Sequence, residues 1–144
     1  NFHALFAHRP DFVVDAIDAL NPKVALAQEL LTRGLPHIAA MGAARRREPS
    51  RIRVADISQT EGCPLARAVR RALRRRGVQS GLRCVYSDEP VSAASTGEPE
   101  DEDPCLERNG RGRRTLGSLA TLTGIFGLTA ANEALRHLLA WPQP

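Results

Sequence analysis

The chain has 144 residues, 42% of them hydrophobic but only 4% aromatic, with 20 basic and 16 acidic residues for a net charge of +4. That length is one domain's worth of chain or a piece of a larger domain, and its core has to be built from Leu, Val, Ile and Ala. It contains neither a run of 18 uninterrupted apolar residues nor a charged-then-apolar leader, which argues against a membrane span or a secretory signal.

Phe2 to His8 reads as the end of a helix, turned by Pro10 and Asp11. Phe12 to Ile17 is a short apolar run of the kind that forms a strand buried on both faces. It delivers two carboxylates, Asp15 and Asp18, to its carboxyl end. In open α/β sheets that edge is where ligands bind. Asn21 then reads as the N-cap and Pro22 as the first residue of a helix. Its apolar face is Val24, Leu26, Ala27, Leu30 and Leu31, and Gly34 is the stop signal. Leu35 to Met41 is a second apolar strand. Strand, helix and strand at these lengths predict a βαβ unit with parallel strands and a right-handed crossover.

After Gly42 comes the basic loop Arg45-Arg46-Arg47, then Ile52 to Ile57 with the alternation of a half-exposed strand. Pro64 opens a helix with Leu65, Val69, Ala72 and Leu73 on one stripe and Arg67, Arg70, Arg71, Arg74 and Arg75 around the rest; Gly77 ends it. Leu82 to Ser87 is a short strand carrying Cys84. Residues 88–114 are rich in Pro, Gly, Ser and acids and poor in apolar residues, so a mobile acidic loop is expected there. Leu116 to Leu139 reads as one long helix, suited to a sheet face or a subunit interface through Gly117, Ala120, Gly124 and Gly127.

Charge is distributed unevenly. Twelve arginines lie between Arg45 and Arg83 against Glu48, Asp56 and Glu61, whereas the stretch from Asp88 to Glu107 has eight acids and no base. Of the 20 basic residues 19 are arginine, so Lys23, five residues beyond Asp18, stands out. Two acids three residues apart, followed by a lysine, suit a metal-bound nucleotide. Lys23 reads either as a phosphate-facing cation or as a surface lysine. The six arginines of Arg67 to Arg76 read either as an RNA-backbone contact or as a solvated helix face. Cys63, Cys84 and Cys105 are 21 residues apart without a Cys-x-x-Cys pair, so a zinc ribbon is unsupported and a reducing compartment fits. No DNA-binding signature is present.

Val14-Asp15-Ala16-Ile17-Asp18 with Pro22-Lys23 resembles the central signature of the ThiF/MoeB/HesA superfamily, the ubiquitin-activating-enzyme-like adenylyltransferases. Arg53-Val54-Ala55-Asp56-Ile57-Ser58-Gln59-Thr60, Pro64-Leu65-Ala66 and Arg83-Cys84-Val85-Tyr86-Ser87 resemble its tRNA threonylcarbamoyladenosine dehydratase branch, as do Gly117-Ser118 and Phe126-Gly127 of the last helix. The matches span roughly residues 10–87 and 115–140.

The resemblance implies an α/β chain that forms the second half of a Rossmann-like ThiF-type fold, with residues 1–144 as one part of a single domain. It implies ATP and magnesium, adenylylation of the threonylcarbamoyl carboxylate on tRNA, and ring closure with net loss of water. Carried over by position, Asp18 matches the metal- and phosphate-proximal aspartate, and Lys23 a basic residue on the first turn of the next helix. Asp15 matches a strand-end acid that either lies near the cofactor or caps and orients the strand end without touching ATP, and Gly42 a glycine-rich turn near the reacting acyl group. Arg45, Arg46, Arg47, Arg67, Arg70, Arg71, Arg74 and Arg75 become candidates for tRNA contact.

A homodimer, sulfur-transfer or desulfurase-type partners and a cytoplasmic location are further implications. Ala43-Ala44 replaces glycine in the turn, and Cys63 replaces the usual Asp cap, a weaker choice by about 1 kcal/mol. The family's Gly-x-Gly-Gly-x-Gly loop is absent, and the chain begins at Asn1, so it reads as the carboxyl-terminal part of an enzyme and as inactive alone. Two rivals stay open: an adenylyltransferase that activates a ubiquitin-like sulfur carrier, and a non-catalytic basic RNA-binding or scaffold remnant.

Overall fold

The computed structural model describes residues 2–90 and 117–140. Its elements are α1 (Phe2–Leu5), β1 (Val13–Asp15), α2 (Leu20–Arg33), β2 (His37–Ala40), β3 (Ile52–Asp56), α3 (Pro64–Arg75), β4 (Arg83–Ser87) and α4 (Ala120–Leu138). Single turns of 3-10 helix lie at Pro49–Arg51 and Ile57–Gln59. The four strands form one sheet in the order β1-β2-β4-β3. β1, β2 and β4 are parallel, and β3 runs antiparallel to β4, pairing Ile52 with Ser87 and Asp56 with Arg83.

Alternation along the strands builds three layers. Ala39 and Cys84 point to the face covered by α2 and α3, where they meet Val24, Ala27, Val69 and Leu73. Ile38 and Val85 point to the other face, onto Phe126 and Ala130 of α4. A sheet covered on both sides is the arrangement that parallel strands require. Burial in this dry core pushes the Cys84 thiol far above its usual range.

The βαβ unit forms as expected, and Gly34 closes α2 in the left-handed conformation at φ 60°, accepted without penalty only by glycine. Its start differs. Ala19, not Asn21, is the cap residue, and Asn21 and Pro22 lie within the first turn. Proline is tolerated there because the first four amides of a helix have no partner within it. Cys63 does cap α3, its Sγ accepting from the Ala66 amide at 3.5 Å.

Burial of β1 on both faces is corrected. Val14 is 50% exposed, because β1 sits at the edge of the sheet and has a neighbouring strand, β2, on one side only. The final helix begins at Ala120, after Gly117 and Ser118. It buries only Leu122, Phe126 and Ala130, one residue per turn, while Leu128 on the far side is 72% exposed. Gly117, Gly124 and Gly127 face open space, so close packing against the sheet does not run through them. The expected acidic loop lies mostly outside the described residues. Its first two residues are fastened: Asp88 pairs with Arg51 and Arg53, and Glu89 accepts from the amides of Arg47 and Glu48.

Candidate functional site

The carboxyl ends of the parallel strands place three segments on one edge: residues 15–18 after β1, residues 41–47 after β2, and residues 87–89 after β4. At the end of β1 the Asp15 side chain is 1% exposed and Lys23, from the first turns of α2, is 0% exposed. The reading of Lys23 as a surface lysine is therefore corrected. Its ammonium Nζ donates to Asp15 Oδ2 at 2.9 Å and to the Ile17 carbonyl at 2.9 Å. Asp15 Oδ1 accepts from the Ile17 amide at 2.9 Å. Both main-chain groups of Ile17 are thus held by one ion pair. The clamp fixes the turn from which Asp18 projects into solvent. A buried pair of this kind is tolerated when extra hydrogen bonds support it, and here each partner has one, to the Ile17 carbonyl and from the Ile17 amide.

The loop after β2 has a different character. Gly42 and Ala43 lead into a turn in which the Arg46 amide donates to the Ala43 carbonyl at 3.3 Å. Arg45 takes φ 60°, a left-handed conformation that strains a side chain with a Cβ. Its amide is held by the Gly117 carbonyl at 3.0 Å. The consequence is that Arg46 turns inward and is only 1% exposed. Its Nη2 donates to the Gly62 carbonyl at 2.7 Å, but among the described residues Nε and Nη1 have no partner.

No protein-family model matches the chain. The tRNA threonylcarbamoyladenosine dehydratase 2 of Saccharomyces cerevisiae is 36% identical over 138 residues, covering 90% of this chain and 31% of that protein. The Bacillus subtilis dehydratase is 40% identical over 88 residues, covering 61% of this chain and 35% of its own length. The chain is a homologue of the tRNA threonylcarbamoyladenosine dehydratases, proteins of the ThiF type. The crystal structure of the E. coli dehydratase, TcdA, superposes with a TM-score of 0.77 at 25% identity, over 97% of this chain and 53% of that one. The same E. coli enzyme in complex with ATP superposes with a TM-score of 0.75. The dehydratase homologue thus spans about a third of the yeast relative and about half of the E. coli structure.

The eight arginines predicted to contact RNA do not form one surface in this homologue. Arg46 is buried. Arg70 is half-buried, and its Nη1 donates to the carbonyls of Ile57 and Thr60 and to Thr60 Oγ1 at 2.6–3.1 Å. It ties α3 to the 3-10 turn after β3. Arg67, Arg71, Arg74 and Arg75 are exposed and, with Arg70, line a shallow basic groove. Arg47 is also exposed and Arg45 half-buried.

Among the described residues no cluster of three His, Cys, Asp or Glu side chains could hold a metal on its own. Magnesium bound with nucleotide phosphates asks for less, one or two carboxylates beside the phosphate oxygens, and Asp18 meets that requirement. No described helix is long and apolar enough to cross a membrane.

Three features escaped the sequence. The Asp15–Lys23 pairing joins residues eight apart across a strand-to-helix turn, a spacing with no pattern of its own. Arg46 separates from its neighbours only because Arg45 reverses the backbone. Gly62 is needed for a close approach: at φ 67° an added Cβ would lie 2.9 Å from the Asp88 carbonyl oxygen. The glycine-containing turn before Arg45 was the one available signal.

Proposed function

We propose that the chain is part of an ATP-dependent tRNA threonylcarbamoyladenosine dehydratase. In this reading ATP transfers AMP to the threonylcarbamoyl carboxylate, releasing pyrophosphate. An internal nucleophile of the modified nucleoside then displaces AMP and closes the ring, with net loss of one water. The observation that carries the reading is similarity to curated dehydratases over 90% of the chain, joined to an exposed aspartate at the ligand-binding edge of the sheet.

Asp18 is the residue that would face magnesium, which supplies neutralisation of phosphate charge. Asp15 and Lys23 act through the backbone of Ile17, holding Asp18 in place, and are positioning residues. Gly42 and Ala43 leave room near the reacting acyl group. Arg47, Arg67, Arg71, Arg74 and Arg75 offer phosphate contacts to the tRNA backbone. The exposed leucines Leu128, Leu135 and Leu138 of α4 support association with a second copy. A tRNA substrate is in keeping with the cytoplasmic location that the family resemblance implies.

The test is to incubate the intact protein with ATP and threonylcarbamoyladenosine-containing tRNA and analyse the nucleosides by mass spectrometry. The expected product is the cyclised nucleoside lacking one water. Formation of a carrier-protein adenylate in its place would overturn the reading in favour of sulfur-carrier activation.

A further inference from the structure

Arg46 presents a problem that the clamp at Lys23 does not. A guanidinium stays charged at any pH a protein meets, so burial cannot be relieved by losing a proton. Arginine side chains are rarely buried to 1% exposure unless paired. Here one nitrogen bonds a neutral carbonyl, that of Gly62, and two nitrogens bond nothing among the described residues. The nearby carboxylate of Glu89 is engaged by the amides of Arg47 and Glu48. Those bonds, foremost, hold its carboxyl below the usual range, and Arg46 adds only a weaker through-space pull.

The surroundings add positive potential. Gly62 immediately precedes Cys63, the cap of the 12-residue helix α3. The amino terminus of a helix carries roughly half a positive charge and favours anions. The Glu89 carboxylate, held through Oε2 by two amides, offsets part of this positive potential but bonds none of the described Arg46 nitrogens, which leaves them open to a second anion. The site also lies on the loop after β2, at the same sheet edge as Asp18. The strained φ of Arg45, held by the Gly117 carbonyl, keeps Arg46 turned inward.

We propose that Arg46, beside the amino terminus of α3, is an oxyanion-binding residue that takes a phosphate or carboxylate group of the bound substrate. It is not part of a general RNA-facing surface. The assignment of the oxyanion to the substrate rests on the dehydratase reading. The binding itself does not. In that reading two oxyanions reach this edge: a phosphate of the nucleotide and the carboxylate to be activated.

The experiment follows the Arg46 Nε–H resonance of the intact, 15N-labelled protein during titration with inorganic phosphate, acetate and AMP at constant ionic strength. Thermal unfolding is measured in parallel for wild type, Arg46→Met and Glu89→Gln. We expect the Nε–H resonance to shift and its solvent exchange to slow on adding at least one anion. The same anion should raise the wild-type melting temperature by about 3–5 °C at tenfold its dissociation constant. Arg46→Met should lose that rise, and Glu89→Gln should keep it. Preference for AMP and phosphate assigns the site to the nucleotide, preference for acetate assigns it to the substrate carboxylate, and either result supports the proposal. A resonance unmoved by all three anions overturns it, even if Arg46→Met fails to fold. So does an anion-dependent rise that persists in Arg46→Met, or one that disappears in Glu89→Gln. Turnover plays no part in these measurements, so a protein that cyclises its nucleoside with a silent Arg46 sinks this inference alone.

Discussion

Two buried cations stand at the ends of adjacent strands and are treated in opposite ways. Lys23, beyond β1, meets a carboxylate and a carbonyl, and its partner Asp15 fills its other oxygen with an amide. Arg46, beyond β2, meets one carbonyl and, among the described residues, leaves two nitrogens without a partner. The first arrangement pairs its charges within the chain and serves to hold a turn. The second is incomplete and calls for something from outside. Burial alone does not tell a structural charge from a binding one; the count of satisfied donors does.

The sharpest way to break this comparison is to remove Lys23. Lys23→Met strands the Asp15 carboxylate in the core and should destabilise the protein by about 3–5 kcal/mol in urea unfolding. Replacing both partners by apolar residues, Asp15→Leu with Lys23→Met, should recover most of that loss yet leave Asp18 poorly held. A single lysine variant as stable as wild type would show that the pair is not the clamp described.

Asp18→Asn tests the other side of the clamp. It should lower turnover about 100-fold or more through lost charge stabilisation. Unfolding stability should stay within about 0.5 kcal/mol of wild type, because the side chain is exposed. A large stability loss with intact turnover would reverse the roles assigned to Asp15 and Asp18.

Arginines on α3 divide by the same criterion. Arg70→Ala removes three hydrogen bonds and should cost about 1–3 kcal/mol of stability. Arg67, Arg71, Arg74 and Arg75 neutralised singly should leave stability nearly unchanged. Each should reduce the salt dependence of tRNA binding by about 0.9 in log–log slope where it contacts a phosphate. Equal salt effects from Arg70→Ala and Arg71→Ala would erase the distinction.

Asp56 provides the smallest effect. Partial burial pushes its carboxyl up, but bonds from the Ser58 hydroxyl and amide and the Gly81 amide outweigh it and hold the carboxyl below its ordinary 3.8. A depressed folded value means that this stabilisation is present above pH 3.8 and is lost as pH falls through the lower folded value. Asp56→Asn should therefore flatten the acid limb of the stability–pH curve by a few tenths of a kcal/mol, the carboxylate being largely solvated. An unchanged acid limb would show that Asp56 does not contribute there.

Local signals in the sequence were strong enough for the βαβ unit, the parallel pairing of its strands, the Gly34 stop, the arginine-bearing helix and the half-exposed β3. These depend on apolar periodicity and on glycine's access to left-handed backbone, both readable within a few residues. The position of the Asp15, Asp18 and Lys23 segment at a carboxyl-terminal sheet edge was legible for the same reason. The exposure of Val14 was not, because edge or centre is decided by strand order. Nor was the one-sided burial of α4, which depends on which strands lie beneath it.

By itself, then, the sequence determined which residues could form strands and helices, and which family they resemble. Only the tertiary structure decided which charges are satisfied. It paired the candidate ligand Lys23 with Asp15 in the core, and it lifted Arg46 out of an apparently uniform basic run. The physical reason is that a hydrogen bond has a reach of about 3 Å and a direction. Which donor meets which acceptor is settled by how distant segments pack, not by the order in which they occur along the chain.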